Sequence, residues 1–443
     1  MLAGEETSSD HSGGNRLRSI RASLGQHDRS LVNIAALLRR RPDLTRLWLG
    51  EVVSQAGDAL YQIALLWLVL ELTGSSGLTG LVAMSGYLPT LLFGLLAGAL
   101  ADRVDRRRVL LAANLGRAVL ALAIPVLAGA HALSVPVLGA ITFLMAVFTA
   151  HFNPTRDALV PDLVDEGELR PANTLIQSGW QFAMLGGPAL AGLLIPLTGE
   201  LHLFTADGLG YLLSAWLILG MSKSRHVSQT GAAWGLGAFR AELRHALAGV
   251  REGLAFARRD RRIWAILAVT AADNLFIMGP AIVGTPLFVR QVLHGDSGDY
   301  ALLLTAFAAG MLTGSLLLNL LGRHVRDSRL LLWGIVLDGI TFLPLLWVTT
   351  FWGAWWTIAV HSLMIPLIII PRPTLVQRLV PRALHGRVFS MISVAVTGLS
   401  AVSVGLTGLA AEWVPVPVIF GSIAILATLC GLAGWLIREF REA

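Results

Sequence analysis

Apolar residues in this chain come in long unbroken runs rather than in alternation with polar ones. Twelve runs can be drawn, near 44–71, 79–101, 109–130, 134–155, 173–197, 202–220, 263–289, 300–321, 330–349, 353–376, 387–411 and 415–437. About twenty apolar residues at 1.5 Å each span the hydrocarbon of a bilayer as a helix, so each run predicts a membrane crossing. A transmembrane barrel needs alternation with a period of two, which is absent. The breaks between runs are short except from Met221 to Arg262. That interruption divides the chain into a basic tail (1–43), six spans (44–220), a linker (221–262), six further spans (263–438) and a short tail (439–443). The expected fold is an all-α membrane protein of twelve transmembrane helices.

Composition agrees. Of 443 residues, 55% are hydrophobic and 14% charged, with a mean hydropathy of +0.67; a soluble domain has about a quarter of its residues charged. The net charge of +6 raises nucleic acid as a partner. Yet the basic residues fall in short clusters: before the first run, in 102–108, 223–262, 323–329 and 372–387, and at the C-terminus. The alternate loops 72–78, 128–134 and 197–202 carry almost none, and Arg290 is the main exception. This asymmetry predicts both termini in the cytoplasm and makes the lipid bilayer, not nucleic acid, the partner. The single Cys430 excludes a disulfide framework and a cysteine metal site.

Residues 1–43 lack the apolar core of a cleaved signal peptide. Within them, Leu31 to Leu38 ahead of Arg39–Arg41 reads either as a short amphipathic helix on the inner leaflet or as a basic tail that fixes orientation. In the linker, Leu243, Leu247, Val250 and Leu254 share one helical face, which predicts an amphipathic helix on the membrane or between the halves.

The halves echo each other. Val160-Pro-Asp-Leu-Val164 after the fourth run is matched by Val376-Gln-Arg-Leu-Val380 after the tenth. Ser54-Gln-Ala-Gly-Asp58-Ala-Leu in the first is matched by Thr270-Ala-Ala-Asp273-Asn-Leu in the seventh. A duplicated six-span unit places ligands between its copies, near mid-bilayer.

Polar groups inside the spans are costly and need a partner, water or a function. In the first span Glu51, Gln55, Asp58 and Gln62 are spaced four, three and four apart, which sets them on one face. Asp58 lies roughly 21 Å along the helix, near mid-membrane. A carboxylate stripped of water there can take up and release protons near neutral pH, or serve as the fixed partner of a neighbouring helix. Asp58, with Glu51 and the repeat-related Asp273, forms the candidate proton-coupling set. Gln55, Gln62, Gln177, Trp180, Gln181 and Asn274 are candidate cargo contacts by depth and by amide or aromatic chemistry; Trp180 can equally face lipid. Arg117, Asp207 and Asp338 are buried charges, with Arg117 expected to pair with Asp207 or with carbonyls. His151 and His361 could relay protons, though a lone membrane histidine is more often a local hydrogen-bond partner. No His/Asp/Glu group has metal-ligand spacing, no Ser-His-Asp set can be read, and no cofactor is implied.

The stretch Gly98-Ala-Leu-Ala-Asp102-Arg103-Val-Asp105-Arg106-Arg107-Arg108 closes the second run and opens the third. It resembles the loop between helices two and three of the major facilitator superfamily, G-x-x-x-D-R-x-G-R-R. Gly98, Asp102, Arg103, Arg106 and Arg107 match, and Asp105 stands where glycine is usual, a residue that tolerates the left-handed backbone. In the fifth span Ala183-Met-Leu-Gly186-Gly187-Pro188-Ala-Leu-Ala191-Gly192 resembles that superfamily's antiporter motif, G-x-x-x-G-P-x-x-G-G. Gly187, Pro188 and Gly192 match, while Ala183 and Ala191 replace glycine. Small-residue spacing of this kind also serves ordinary helix packing. Trp48-Leu-Gly50, Ser54-Gln55, Gly57-Asp58, Asn153-Pro154 and Val160–Val164 extend the likeness over 44–438, towards the branch that includes macrolide and enterobactin exporters.

The resemblance implies two pseudo-symmetric six-helix bundles. It implies a monomer in the cell membrane that exports an amphipathic small molecule, such as a drug, macrolide or siderophore, in exchange for protons by alternating access. In the gating loop it implies that Asp102 holds the N-terminus of a second-half helix and that Arg103 and Arg106 bridge to Asp157 or Asp162. No G-x-x-x-x-G-K-[ST] loop occurs, so energy would come from a gradient or a partner. Readings to be separated from export are an importer or lipid flippase of the same fold and a non-transporting scaffold or sensor. An enzyme would need a nucleophile–base or metal set, and none can be read.

Overall fold

The computed structural model describes residues 34–93, 105–222, 251–321, 325–381 and 384–442, with 244 and 248. Twelve helices among them are long and apolar enough to cross a membrane: α1 (Pro42–Thr73), α2 (Ser76–Phe93), α3 (Arg106–Gly129), α4 (Val135–Leu163), α5 (Glu166–Thr198), α6 (Leu201–Leu219), α7 (Arg261–Gln291), α8 (Ser297–Leu320), α9 (Asp327–Leu346), α10 (Phe351–Leu379), α11 (Met391–Ala410) and α12 (Val416–Trp435). Gly98, Asp102 and Arg103 of the gating loop lie outside the described residues, as does most of the expected linker helix.

Helix ends follow local chemistry. Pro42 opens α1, where its missing N–H costs nothing, and Gly74 ends it at φ 64°, a left-handed cap that returns its N–H to the Leu70 carbonyl. Ser75 then caps α2, accepting from the Leu78 N–H. Asp105 departs from expectation: at φ −54° it is not left-handed but an N-cap, its carboxylate accepting the Arg107 N–H at 3.0 Å. Capping satisfies a helix donor that a glycine turn would leave bare. Arg106–Arg108 therefore form the first turn of α3 rather than a loop.

The packing is two-fold in plan. In the first half α1 lies on α5 and α6, and α3 on α6; in the second α7 lies on α11 and α12, and α9 on α12. The halves meet through α2 against α11 and α5 against α8, pairs that the same exchange of halves interconverts. Close approach needs small residues: a Cβ on Gly408 would stand 2.6 Å from the Gly80 Cα, so these two helices touch backbone to backbone. Gly310 likewise admits Ser362 of α10, where a Cβ would meet the serine Cβ at 2.7 Å.

All inter-half hydrogen bonds among the described residues sit at the end opposite the chain termini, here the far end. Glu412, after α11, accepts from the Ser75 hydroxyl at 2.7 Å and from the Gly77 N–H at 2.6 Å, capping α2 from the other half. Arg290 donates to the Leu70 carbonyl, Gln291 to Ser76 at 3.4 Å, and Ser297 to Glu200 at 3.4 Å. The backbone donor of Gly77 and the Ser75 hydroxyl hold the Glu412 carboxyl below the usual carboxylate range. Exposed Trp347, Trp352, Trp356 and Trp413 surround this end of the second half, as rings do at a membrane interface.

Two outcomes follow. Gly408→Leu lowers the thermal unfolding midpoint of detergent-purified protein by the equivalent of about 1–3 kcal/mol, whereas Gly129→Leu, with open space around the site, does not. Because the Glu412 carboxyl is depressed, its cap is complete at neutral pH and is lost as pH falls through its lowered range. Maleimide labelling of Ser76→Cys, in a chain whose Cys430 is replaced by Ser and taken relative to the unfolded chain at the same pH to cancel the falling thiolate fraction, therefore rises on acidification, and Glu412→Gln removes that acid-dependent rise.

Candidate functional site

The polar stripe of α1 faces two adjoining cavities. The larger, about 510 Å³, is lined by Gln55, Asp58, Tyr61 and Gln62 of α1, by Tyr87 and Thr90 of α2, by Met145 and Thr149 of α4, by Trp180, Ala183 and Met184 of α5, and by Tyr211 of α6. The second half adds Ile282 and Thr397. The smaller, about 330 Å³, lies towards the terminal end and is lined by Glu51, Gln55, Asp58, Arg117, Asn153, Arg156, Gln177 and Trp180. Gln55, Asp58, Thr149 and Trp180 belong to both. Small-molecule sites run from about 300 to 1,000 Å³, mostly apolar with a few placed polar groups, and the larger cavity has that character.

Asp58 is held from below by its own half. The Tyr211 hydroxyl donates to its Oδ1. One turn earlier on α6, Asp207 is fully buried with neither oxygen hydrogen-bonded. Gly57, beside Asp58, is what lets Asp207 in: a Cβ there would fall 3.0 Å from the Asp207 Cα. Arg117 on α3 completes the cluster. Its guanidinium lies 4.5 Å from the Phe152 ring centre and 4.3 Å from that of Tyr211, and its Nη2 donates to Asn114 Oδ1 at 2.5 Å. This corrects half of the expected pairing: Arg117 makes no ion pair with Asp207, and the oxygen it meets is the side-chain amide carbonyl of Asn114. Two ring faces and one amide stabilise the cation instead, the rings by about 2 kcal/mol or more when dry.

Glu51 is more firmly occupied than a free proton acceptor would be. Arg156 Nη1 meets its Oε2 at 2.9 Å and the Gln55 amide donates to the same oxygen. Glu51 is 2% and Arg156 15% exposed. Asp273, the expected partner of Asp58 across the cavity, pairs instead with Arg372 of α10 at 2.9 Å. Asn274 is buried between helices, donating to the Thr270 carbonyl at 2.9 Å and accepting from Ser400 at 3.3 Å. Neither cavity is lined by Gln181, Asp273 or Asn274. Asp338 lies against His361, whose Nδ1 is 3.2 Å from its carbonyl and 3.4 Å from its Oδ1. His151 bonds the Val147 carbonyl of its own helix at 2.8 Å.

In the antiporter motif Ala183 faces the larger cavity, Gly187 abuts Ala59 of α1, and Gly192 lies against Ala301 and Leu302 of α8. Pro188 is inside the continuous α5. At the terminal end Arg106 pairs with Asp162 at 2.7 Å, one of the two carboxylates the resemblance points to, and bonds the Ala158 carbonyl at 2.8 Å. Arg107 donates to the Ile218 carbonyl at 3.0 Å and to that of Leu219, fastening α3 to the end of α6.

Residues 36–442 fit the profile of the transmembrane secretion effector family of the major facilitator superfamily. The chain belongs to that family. It is a multi-pass membrane transporter, not an enzyme. Macrolide efflux protein A of Streptococcus pyogenes is 26% identical over 347 residues, covering 78% of this chain and 83% of its own. The multidrug efflux pump Tap of Mycolicibacterium fortuitum is 27% identical over 317 residues, 69% of this chain and 75% of its own. A crystal structure of the peptide transporter POT in complex with sulfate superposes with a TM-score of 0.70 over 90% of this transporter and 94% of that chain, at 15% identity, a likeness of fold.

The sequence reading missed Tyr211, Asn114, Arg156 and Arg372. Signals were there for two of them: Tyr211 is one turn from Asp207, and Arg156 is an arginine late in an otherwise apolar span.

Truncating Arg156 strands the buried Glu51 charge. Arg156→Ala is therefore expected to destabilise this transporter by about 3–5 kcal/mol, and adding Glu51→Gln to restore most of the loss. Thermal unfolding of the two single variants and the double variant measures both.

Proposed function

We propose that the transporter exports an amphipathic small molecule in exchange for protons, by alternating access, with Asp58 as the acid that cargo and proton compete for. The observation that carries this reading is a carboxylate at mid-span that lines both cavities, reached through Gln55 and Trp180 on one side and Gln62 and Tyr87 on the other. An apolar and aromatic chamber of this size with one exposed acid suits a cargo with a bulky apolar body and a basic group. The named relatives, a macrolide efflux protein and a multidrug efflux pump, support the outward direction. The Gly187-Pro188 pair in α5 supports it as well.

In this reading the terminal end, which carries Arg106, Arg156, Arg261, Arg326 and Arg378, faces the cytoplasm of a cell whose plasma membrane holds the chain. Cargo would enter from that side through the smaller cavity. Glu51, matched by Arg156, shapes the approach rather than carrying the proton, and Gln177 and Trp180 border it. The transporter acts as a monomer, since each chain contains its own cavity between halves.

Asp58→Asn abolishes proton-driven accumulation of ethidium in inverted vesicles and removes erythromycin resistance in a pump-deficient host, at normal membrane abundance. Wild-type accumulation in the Asn variant sinks the exchanger reading; accumulation that needs no gradient in the wild type points to facilitated movement instead.

A further inference from the structure

The cluster behind Asp58 holds one fixed positive charge and two acids. Arg117 stays protonated under all ordinary conditions. If both Asp58 and Asp207 were ionised with no cargo bound, the buried cluster would carry a net negative charge; if both were protonated, Arg117 would be an unmatched cation. One proton between the two acids makes the cluster neutral, which is the arrangement burial favours. The contacts of the two acids favour Asp207 as its holder. Asp58 accepts from the Tyr211 hydroxyl, as a carboxylate does. Asp207 accepts from nothing, with both oxygens buried, and leaving a neutral carboxyl unpartnered costs far less than leaving a charged one so.

We propose that Asp207 is a second proton-holding carboxyl of the transport site, sharing one proton with Asp58 against the fixed charge of Arg117. The inference rests on the exchanger reading of Asp58 and deepens it. The charged and titratable groups around Asp207 are Asp58 and Tyr61 on α1, Arg117 on α3 and Tyr211 on its own helix. Asp207 lines neither cavity, whereas Asp58 lines both. A cationic cargo pairing with Asp58 takes the place of the shared proton, which leaves from Asp58 to the cavity on the side the cargo came from; with both acids ionised, cargo and Arg117 keep the cluster neutral. When the cargo leaves on the other side, one proton from that side forms an O–H bond at Asp58 and the two acids again hold one proton between them, so one proton is exchanged for one cargo cation and the total charge stays constant. Asp207 is thus a positioning residue for the proton, not a contact for cargo.

Charge balance makes the test sharp. Infrared difference spectroscopy on the full chain at neutral pH follows the C=O band of protonated carboxyl groups. Removing either acid leaves the other alone with Arg117 and ionised, so Asp207→Asn and Asp58→Asn each lose one protonated carboxyl relative to wild type. Arg117→Gln gains one. A wild-type band in Asp207→Asn, or no gain in Arg117→Gln, overturns the shared proton. The functional arm uses ethidium in proteoliposomes: Asp207→Asn keeps ethidium counterflow, which moves no net proton, and loses accumulation driven by a pH gradient. Loss of the band with gradient-driven accumulation intact also overturns the proposal, and leaves Asp58 as the exchanging acid on its own. Wild-type protein that shows the band changes but no gradient-driven accumulation fails the exchanger reading and spares the shared proton. Asp207→Glu, which keeps the carboxyl, retains the band and separates proton holding from simple packing.

Discussion

The first half is organised around one guanidinium whose direct partners are two rings and an amide rather than a salt bridge. A bare arginine in hydrocarbon is among the costliest side chains to place. Here α3 delivers Arg117 between the rings of Phe152 on α4 and Tyr211 on α6, and Asn114, one turn back, takes its Nη2. Asn114 also donates to Ser214 on α6 at 2.8 Å, so the amide that serves the arginine joins α3 to α6 as well. Housing Arg117 thus fixes three helices relative to one another, although its Nε stays without a hydrogen bond, and Tyr211, part of that cage, fixes the fourth by reaching Asp58 on α1. The acid that faces the cavity is aimed by the same side chain that shields the cation.

The two halves solve the same problem with opposite signs. The shift that takes Val109 to Leu330 takes Arg106 to Asp327 and Arg117 to Asp338. The pair Arg106–Asp162, joining the start of α3 to the end of α4, has its counterpart in Asp327–Arg378, joining the start of α9 to the end of α10 at 2.7 Å. The clamp survives because an ion pair is indifferent to which helix carries which charge. The buried slot is different: a cation there takes rings and an amide, while Asp338 takes a histidine at 3.4 Å. Packing across the pseudo-two-fold is preserved where charge is not, and the acids that line the cavities, Glu51 and Asp58, both come from the first half.

The number, order and approximate limits of the helices were legible because hydrocarbon demands long apolar runs, and the face of α1 was legible because four polar residues at helical spacing have only one place to go. Pairing across helices was not. Asp273 reads as the twin of Asp58 by neighbouring letters, but the shift that takes Ser54 to Thr270 and Val160 to Val376 takes Asp58 to Asn274 and Arg156 to Arg372. The structure follows that register: Arg372 neutralises Asp273 and Asn274 becomes a link to Ser400. Periodicity places a residue on a face but does not say which neighbour meets it. Arg117 shows the same limit, since aromatic rings carry no formal charge that would mark them as its partners.

The distribution of polar contacts along the membrane normal bears on how such a molecule could rock. Among the described residues, every inter-half hydrogen bond is at the far end, and every ion pair at the terminal end stays inside one half, as with Arg41–Glu168, Arg106–Asp162 and Arg378–Asp327. Among the described residues, then, the terminal-end ion pairs tie each half to itself. The far-end bonds are in or near water, where a broken hydrogen bond is replaced by one to solvent and the net loss is about 1 kcal/mol. At that same far end, about one turn further in, α2 and α11 meet at Gly80 and Gly408, with almost no side-chain volume to interlock. Among the described residues, a smooth glycine contact beside solvent-exchangeable bonds leaves few interactions that must be broken in a dry environment for the far end to part, whereas Arg117 and Asp207, the groups most costly to expose to lipid, move with a single bundle.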